Sequence, residues 1–192
     1  MTTPFEFLAT RRSIPAAFLA DPGPDAAALG QLLRVATRVP DHGKLAPWRF
    51  VVIAGDARRV AGDALAARRA ERSPPPRPED IEAERERFTR APLVIVLVSR
   101  LVPSEKATEW EQILSAGAVA MNLLNGAHAM GFAANWLTDW PAYDESVRAL
   151  FGLGEGERVA GFFHVGTPRI PPQERWRPEV APLVTRWVPP ER

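Results

Sequence analysis

The run LVIVLVS, Leu93 to Ser99, is β-branched and almost wholly apolar. An alternating strand hides one face and wets the other, whereas a strand without alternation needs cover on both. This segment is therefore expected to lie centrally in a sheet. A second segment presses the same way. Glu109 to Met130 carries Trp110, Ile113, Leu114, Val119, Met121, Leu123, Leu124 and Met130, apolar nearly all round a helix, and predicts a long core helix. Its SAGAVA stretch, Ser115 to Ala120, is rich in small side chains that let another backbone come close. Either a neighbouring helix of the same chain or a dimer partner satisfies that pattern.

Other elements group around these two. Helical patterns appear at Pro4 to Thr10 and at Asp25 to Ala36, the latter with Ala28, Leu29, Leu32, Leu33 and Val35 on one broad apolar side. RVPDHGKLAP breaks the pattern before a strand at Arg49 to Ala54. A helix near Asp56 to Ala70 leads into the turn-rich SPPPRP. Pro78, Glu79 and Asp80 then suit the first turn of a helix expected to reach Phe88. Strands are expected at Phe132 to Thr138 and Arg158 to Val165, with a short helix near Tyr143 to Leu150 between them.

The proline-rich PPQERWRPEVAPLVTRWVPPER resists a compact helical ending, yet Leu183, Val184 and Trp187 are too apolar for a free tail. This extension, residues 171–192, is expected to cross to a second subunit and bury there. The chain has 192 residues, 46% of them hydrophobic, and no internal repeat, so a single domain over residues 1–192 is expected.

Composition removes whole classes of chemistry. Without cysteine there are no disulfides, thiolate nucleophiles, iron–sulfur clusters or thiolate zinc sites, so redox work requires a bound cofactor. A net charge of +1 gives no general attraction to nucleic acid or acidic membranes. MTTPFEFLATRRS lacks the order of a secretory signal, and no apolar run is long enough to cross a bilayer. A soluble cytoplasmic protein is the expectation.

The chemistry-bearing residues cluster near two short loops. Arg11, Arg12 and Ser13 lie in ATRRS, and Arg38 and His42 lie in RVPDHGKLAPWRF. Guanidinium groups grip a phosphate through paired, charge-assisted hydrogen bonds, and a serine hydroxyl with adjacent backbone N–H groups completes such a cradle. Read alone, both arginines are better explained as caps on the negative end of the first helix, and only the wider series of motifs reverses that preference. The series ATRRS, VPDHGKLAPWRF, EWEQILSAG, GFAANWLT and GFFHVGTP, in that order, resembles the FMN-dependent nitroreductase family. The match is closest to its compact branch with a PDH sequence after the second helix.

That resemblance implies an α/β fold of the α+β type, a mixed sheet surrounded by helices, and an intertwined homodimer with FMN at the subunit interface. Arg11 and Ser13 match family positions at the flavin phosphate and ribityl chain, with Arg12 beside them. Arg38 and His42 match positions that present polar groups to FMN across the dimer interface. Asp41 has the alternative of capping the local turn, and His42 that of satisfying backbone groups. Trp136, Leu137 and Thr138 match a segment whose backbone N–H meets flavin N5, while the Trp136 side chain remains free to pack. Pro47 and Trp48 are assigned to structure. Lys44 and Ala46 stand where larger members carry asparagine and glutamine. Lys44 is therefore either a stabiliser of charge near N1 and C2=O or a solvent-facing side chain. A basic residue from the C-terminal region usually joins the phosphate site, and Arg175 and Arg177 are the candidates.

The implied activity is ping-pong reduction of a nitroaromatic or quinone-like small-molecule acceptor, with NADH or NADPH as donor and flavin N5 as the hydride carrier. An enone or flavin-derived acceptor, or non-catalytic flavin storage, remains open. No side chain is expected to be catalytic in its own right. His128 and His164 read as structural, and three dispersed histidines make no metal site. GLGEG precedes a strand instead of joining a strand to a helix, so it reads as a turn.

Overall fold

The computed structural model describes residues 2–189; residues 1 and 190–192, the ends of the expected domain and extension, lie outside the described residues. Its helices and strands follow in the order α1 (Pro4–Thr10), β1 (Leu19–Ala20), α2 (Ala26–Ala36), β2 (Trp48–Ala54), α3 (Ala57–Ala70) and α4 (Pro78–Arg85). Then come β3 (Leu93–Arg100), α5 (Glu109–Ala129), β4 (Ala133–Leu137), α6 (Glu145–Arg148) and β5 (Glu157–Pro168).

The doubly covered strand is β3, which lies between β2 and β5. Leu93, Ile95 and Leu97 pack into one core with Leu32 of α2 and Val119, Leu123 and Ala127 of α5. Val94, Val96 and Val98 point to the opposite face, toward Ala61 and Leu65 of α3, Phe88 and Phe162. None of these six β3 residues is more than 3% exposed. Side chains alternate across a strand, so a run apolar at every position demands two helical layers, and α2 with α5 on one side and α3 with α6 on the other supply them. The α/β reading holds, and every strand pairing among the described residues is antiparallel.

Caps define the helix starts. Thr3 and Glu6 form a reciprocal capping box at α1, Asp25 caps α2, and Thr108 with Glu111 forms a second capping box at α5. Three expectations need correction. The fourth helix stops at Arg85 and does not reach Phe88. Beyond it the chain turns so that Phe88 enters the core against Phe151 and Phe162, a burial that a continued helix does not permit. The short helix is limited to Glu145–Arg148, followed by a 3₁₀ turn at Ala149–Phe151.

The third correction concerns α5, which is a core helix on one face only: Trp110, Ile113, Leu114 and Met121 are exposed. Gly117 has no neighbour close to the position of an added Cβ, so the SAGAVA stretch does not meet a helix of its own chain there. The close approach of α2 comes at Gly126, where a Cβ would stand 2.9 Å from Leu32 Cδ1.

A sharper contact joins α3 to α4. A Cβ at Gly62 would lie 2.0 Å from the Arg85 carbonyl oxygen, whereas Gly30 on α2 faces open space. Alanine favours a helix over glycine by about 1 kcal/mol, so Gly30→Ala is expected to stabilise the protein by up to that amount. Gly62→Ala forces the two backbones apart and is expected to cost about 1–3 kcal/mol despite the same propensity gain. Urea unfolding of both variants checks the opposite signs.

Candidate functional site

β4 positions the candidate site. It pairs with β5 along one edge, from Ala133 opposite Gly166 to Leu137 opposite Phe162, and no strand joins its other edge among the described residues. The Ala134 N–H donates to His128 Nε2 at 3.2 Å and so points off that open edge. Backbone groups alternate along a strand, which places the Trp136 N–H on the same edge.

The Trp136 side chain is held separately. Its Nε1–H donates to the Ala160 carbonyl at 3.0 Å, and its ring stacks on Phe163 at 5.4 Å. The β3–β5 register shifts at Ala160, and a Cβ on Gly161 would sit 2.0 Å from the indole nitrogen, so the bulge and the glycine together make room for the ring. Trp136 thus lies on the sheet surface, and its backbone is left free at the edge.

At the start of β4 is a cavity of about 270 Å³ lined by Phe7, Arg11, Arg12, His128, Phe132 and Ala133, among others. Arg11 terminates α1, donating its backbone N–H to the Phe7 carbonyl at 2.9 Å, but its Nη1 is buried and has no hydrogen-bond partner. Burial, and then the neighbouring charges of Arg12 and Arg177, hold the Arg11 guanidinium below its ordinary range. His128 is lowered by burial and then by Arg11, which favours its neutral form, in keeping with its role as acceptor from Ala134. The corner is rich in positive charge, and among the described residues no carboxylate pairs with Arg11.

Arg12 is engaged differently. Its Nε donates to the Gln173 carbonyl at 3.2 Å and lies 3.6 Å from Glu174, tying the start of the extension to the body. Ser13 lines an adjoining cavity of about 300 Å³ with Arg12, Ile170, Pro172 and Gln173. Arg177 is near enough to influence Arg11, and its Nη1 donates to the Arg175 and Trp176 carbonyls. Arg175 is exposed, its backbone N–H donating to Glu174 and its carbonyl accepting from Arg177.

Arg38 and His42 belong to a different part of the surface and do not line the Arg11 cavity. The Arg38 carbonyl accepts from Asn122 on α5, and its side chain is exposed. His42 Nδ1 lies 3.0 Å from Glu111 Oε1 beside a shallow pocket lined by Leu114 and Ser115. Lys44 is exposed at φ 58° and Ala46 has φ 46°. The Asp41 carboxylate pins that left-handed backbone by accepting from Leu45 N at 3.0 Å and Ala46 N at 2.9 Å, so its turn-capping role holds.

One group of neighbours escaped the sequence reading. Asp139, directly after Thr138, has φ 62° and accepts from Arg87, which is also clasped by Glu84. No local spacing reveals a pair 52 positions apart. Among the described residues no group of acidic or histidine side chains is arranged to hold a metal, and no helix is long and apolar enough to cross a membrane. His164 is fully buried, its Nε2–H donating to the Arg87 carbonyl, and burial pushes it down to about 4.

The model of the nitroreductase family matches residues 8–167 of this chain. The chain belongs to the nitroreductase family. It is 33% identical over 186 residues to "Putative NAD(P)H nitroreductase YdjA" of Escherichia coli (strain K12), covering 94% of this chain and 97% of that protein. A relative from Bacillus subtilis (strain 168), named "Putative NAD(P)H nitroreductase YfhC", is 25% identical over 90% of this chain and 88% of its own length.

Among solved structures, a nitroreductase-like family protein from Bacillus cereus matches with a TM-score of 0.82 at 22% identity, covering 96% of both chains. An FMN and NADPH-dependent nitroreductase, NfnB, from sphigopyxis sp. strain HMH matches with a TM-score of 0.70 at 21% identity, covering 96% of this chain and 99% of that one. These structural likenesses show the same fold over nearly the whole chain.

The contact between His42 and Glu111 has a pH signature. Thr108 backbone and side-chain donors together with His42 hold the Glu111 carboxyl down to about 2, below its ordinary 4.5. A depressed carboxylate stabilises the fold above its unfolded value and loses that contribution as pH falls through the folded one. Glu111→Gln keeps a residue type that a capping box accepts. Its stability deficit relative to wild type is expected to be constant above pH 4.5 and to shrink to nothing as pH approaches about 2. Urea titrations at several pH values test this, and a deficit independent of pH contradicts it.

Proposed function

We propose that this protein is an FMN-dependent NAD(P)H oxidoreductase that acts as a homodimer on nitroaromatic or quinone-like small molecules. The observation that carries this reading is Arg11, a guanidinium with a buried, unpartnered Nη1 reinforced by the like charges of Arg12 and Arg177. A buried cation without a counter-charge is costly, and an arriving phosphate relieves that cost while accepting charge-assisted hydrogen bonds. The names of the similar proteins agree: NAD(P)H for YdjA, FMN and NADPH for NfnB.

The residues present fit the cofactor along its length. Arg11, Arg12 and Ser13 would hold the phosphate and ribityl end, with Arg177 the C-terminal arginine placed to join them. Trp136, Leu137 and Thr138 would meet the ring system at the other end of β4. From Ala133 to Leu137 the strand extends roughly 13 Å at ~3.3 Å per residue, and Thr138 follows directly, an open edge long enough to run beside an elongated mononucleotide. When bound, FMN supplies hydride transfer, taking two electrons from NADH or NADPH and passing them to the acceptor after the nicotinamide has left.

This chain's own groups bind and orient. The open-edge N–H of Trp136 is a donor fixed by the sheet, and such a donor needs no reorganisation when charge changes nearby. The indole of Trp136, locked by Ala160 and Phe163, packs over β5 and leaves that edge open to a ligand. Neutral His128 keeps the Ala134 N–H satisfied without adding a further cation to the phosphate corner.

Arg38, His42 and Lys44 reach a cofactor only when a second copy faces this one. Two features support that assembly. The stripe Trp110, Ile113, Leu114, Gly117 and Met121 on α5 is apolar and exposed, a face that water disfavours. The extension holds Trp176 at 81% and Trp187 at 80% exposure, with Leu183 and Val184 between them, and packing on the partner subunit would bury them.

Arg11→Ala is expected to weaken FMN binding about 10- to 100-fold, the worth of a charge-assisted contact to phosphate, while the melting temperature without flavin changes little. Fluorescence titration of FMN against both proteins measures the ratio, and equal affinities reject the phosphate assignment. Anaerobic mixing of the FMN-loaded protein with NADH and then NADPH tests the activity itself. Bleaching followed by reoxidation with a quinone is the expected course, and saturating FMN binding without reduction by either donor identifies a storage protein instead.

A further inference from the structure

Among the described residues, only three non-glycine positions have positive φ, and all three adjoin the loops of the candidate site: Lys44, Ala46 and Asp139. Asp139 is the most demanding, since φ 62° with ψ −176° is a region that essentially only glycine enters freely. Such a conformation persists when its surroundings over-determine it. Asp139 Oδ1 accepts from the Trp140 N–H at 2.7 Å, and Oδ2 accepts from Arg87 Nη2 at 2.7 Å.

Arg87 is itself well anchored. Its guanidinium makes a two-point contact with Glu84, from Nε to Oε2 and from Nη2 to Oε1, and both side chains are nearly buried. The Arg87 carbonyl meets Nε2 of the fully buried His164, and the next residue, Phe88, is wedged among Phe151, Phe162 and His164. The cation is thus fixed to the sheet at one end and to a strained turn at the other.

We propose that Arg87, backed by Glu84, is a positioning residue: it holds Asp139 in its strained conformation and thereby sets the path of the Trp136–Thr138 backbone against the flavin. This rests on the FMN reading above. The ion pair acts through the chain and touches no reacting atom. Asp139 is adjacent to Thr138, so relaxing its φ swings the preceding peptide and misdirects the open-edge donors of β4.

The test separates strain from charge. Arg87→Met is expected to weaken FMN binding about tenfold, within the range that released backbone strain supplies. Adding Asp139→Gly to that variant is expected to restore affinity to within about threefold of wild type, because glycine takes up the turn unaided. Adding Asp139→Asn instead removes the stranded charge and leaves the strain, so no recovery is expected. Recovery with both, or with neither, overturns the proposal, as does unchanged affinity in Arg87→Met.

Should Arg87→Met fail to fold, the single variants at the exposed Asp139 carboxylate decide: Asp139→Asn is expected to bind FMN more weakly and Asp139→Gly as wild type, and the reverse order rejects the clamp. Amide hydrogen exchange on protein free of flavin reads the clamp independently. Faster exchange at residues 138–140 in Arg87→Met or Asp139→Asn is expected, and its absence rejects the clamp whatever ligand the site takes. Failure of wild type to bind FMN, with that exchange difference intact, counts against the flavin reading alone.

Discussion

Burial of β3 on both faces is the condition from which the rest of this structure descends. Backbone N–H and C=O groups in so apolar a strand must be paired by neighbouring strands, and β2 and β5 take the two edges. Side chains above and below must be covered by helices, which α2 and α5 do on one face and α3 with α6 on the other. With one edge of β5 committed to β3, β4 can pair only along the other, and its own outer edge is left for something that is not a strand of this chain. The open edge is therefore a consequence of the core.

Charge is distributed with the same economy. Most arginines beside this core face carboxylates: Arg49 meets Glu157, Arg72 meets Asp144, Arg85 meets Asp63 and Arg87 meets Glu84. Of these, the exposed Arg85 pair adds little stability, but together they show how readily this chain supplies a counter-ion. Arg11 is the departure. The charges that act on it are those of Arg12 and Arg177, and among the described residues its buried Nη1 has no partner. An arrangement that is unfavourable in isolation, at the end of an open strand, is what an anionic ligand makes favourable, and this is why the phosphate reading is preferred to simple capping of α1.

Much of the framework was legible because hydrophobic period reports directly on burial. LVIVLVS announced β3, the apolar side of Asp25 to Ala36 announced α2, and a turn-rich break separated α3 from α4. The two-residue β1 carries no period at all. The small-residue stretch on α5 suggested close packing, but its in-chain expression falls at Gly126, because which helical face meets α2 depends on tertiary placement. Motif order drew attention to Arg11 and Arg12, which line one cavity, to Ser13, which lines the adjoining one with Arg12, and to Trp136 and Leu137 on β4 with Thr138 after it. Arg38 and His42, drawn in by the same order, lie away from that cavity. Arg87 and Asp139 were invisible: neither identity nor spacing marks a non-glycine residue in a glycine conformation, and the contact that enforces it spans distant segments.

The two strained loops follow one rule. Between His42 and Pro47, backbone at positive φ is pinned by Asp41, whose two carboxylate oxygens each take one N–H. After β4, backbone at positive φ is pinned by Asp139's own carboxylate and by a cation rooted in the core. Strain of this kind costs stability at each site, so a chain selected for stability alone would place glycine there, as it does at Gly43, Gly131 and Gly152. What the Asp139 side chain adds over glycine is a tie: its carboxylate joins the turn to Arg87 and, through the Arg87 carbonyl and His164, to the core. Glycine would take up the same turn unaided, without that tie. At Asp139 the turn beside the open edge is therefore enforced by a side-chain contact, and at Lys44 and Ala46 by the Leu45 and Ala46 N–H groups that Asp41 holds.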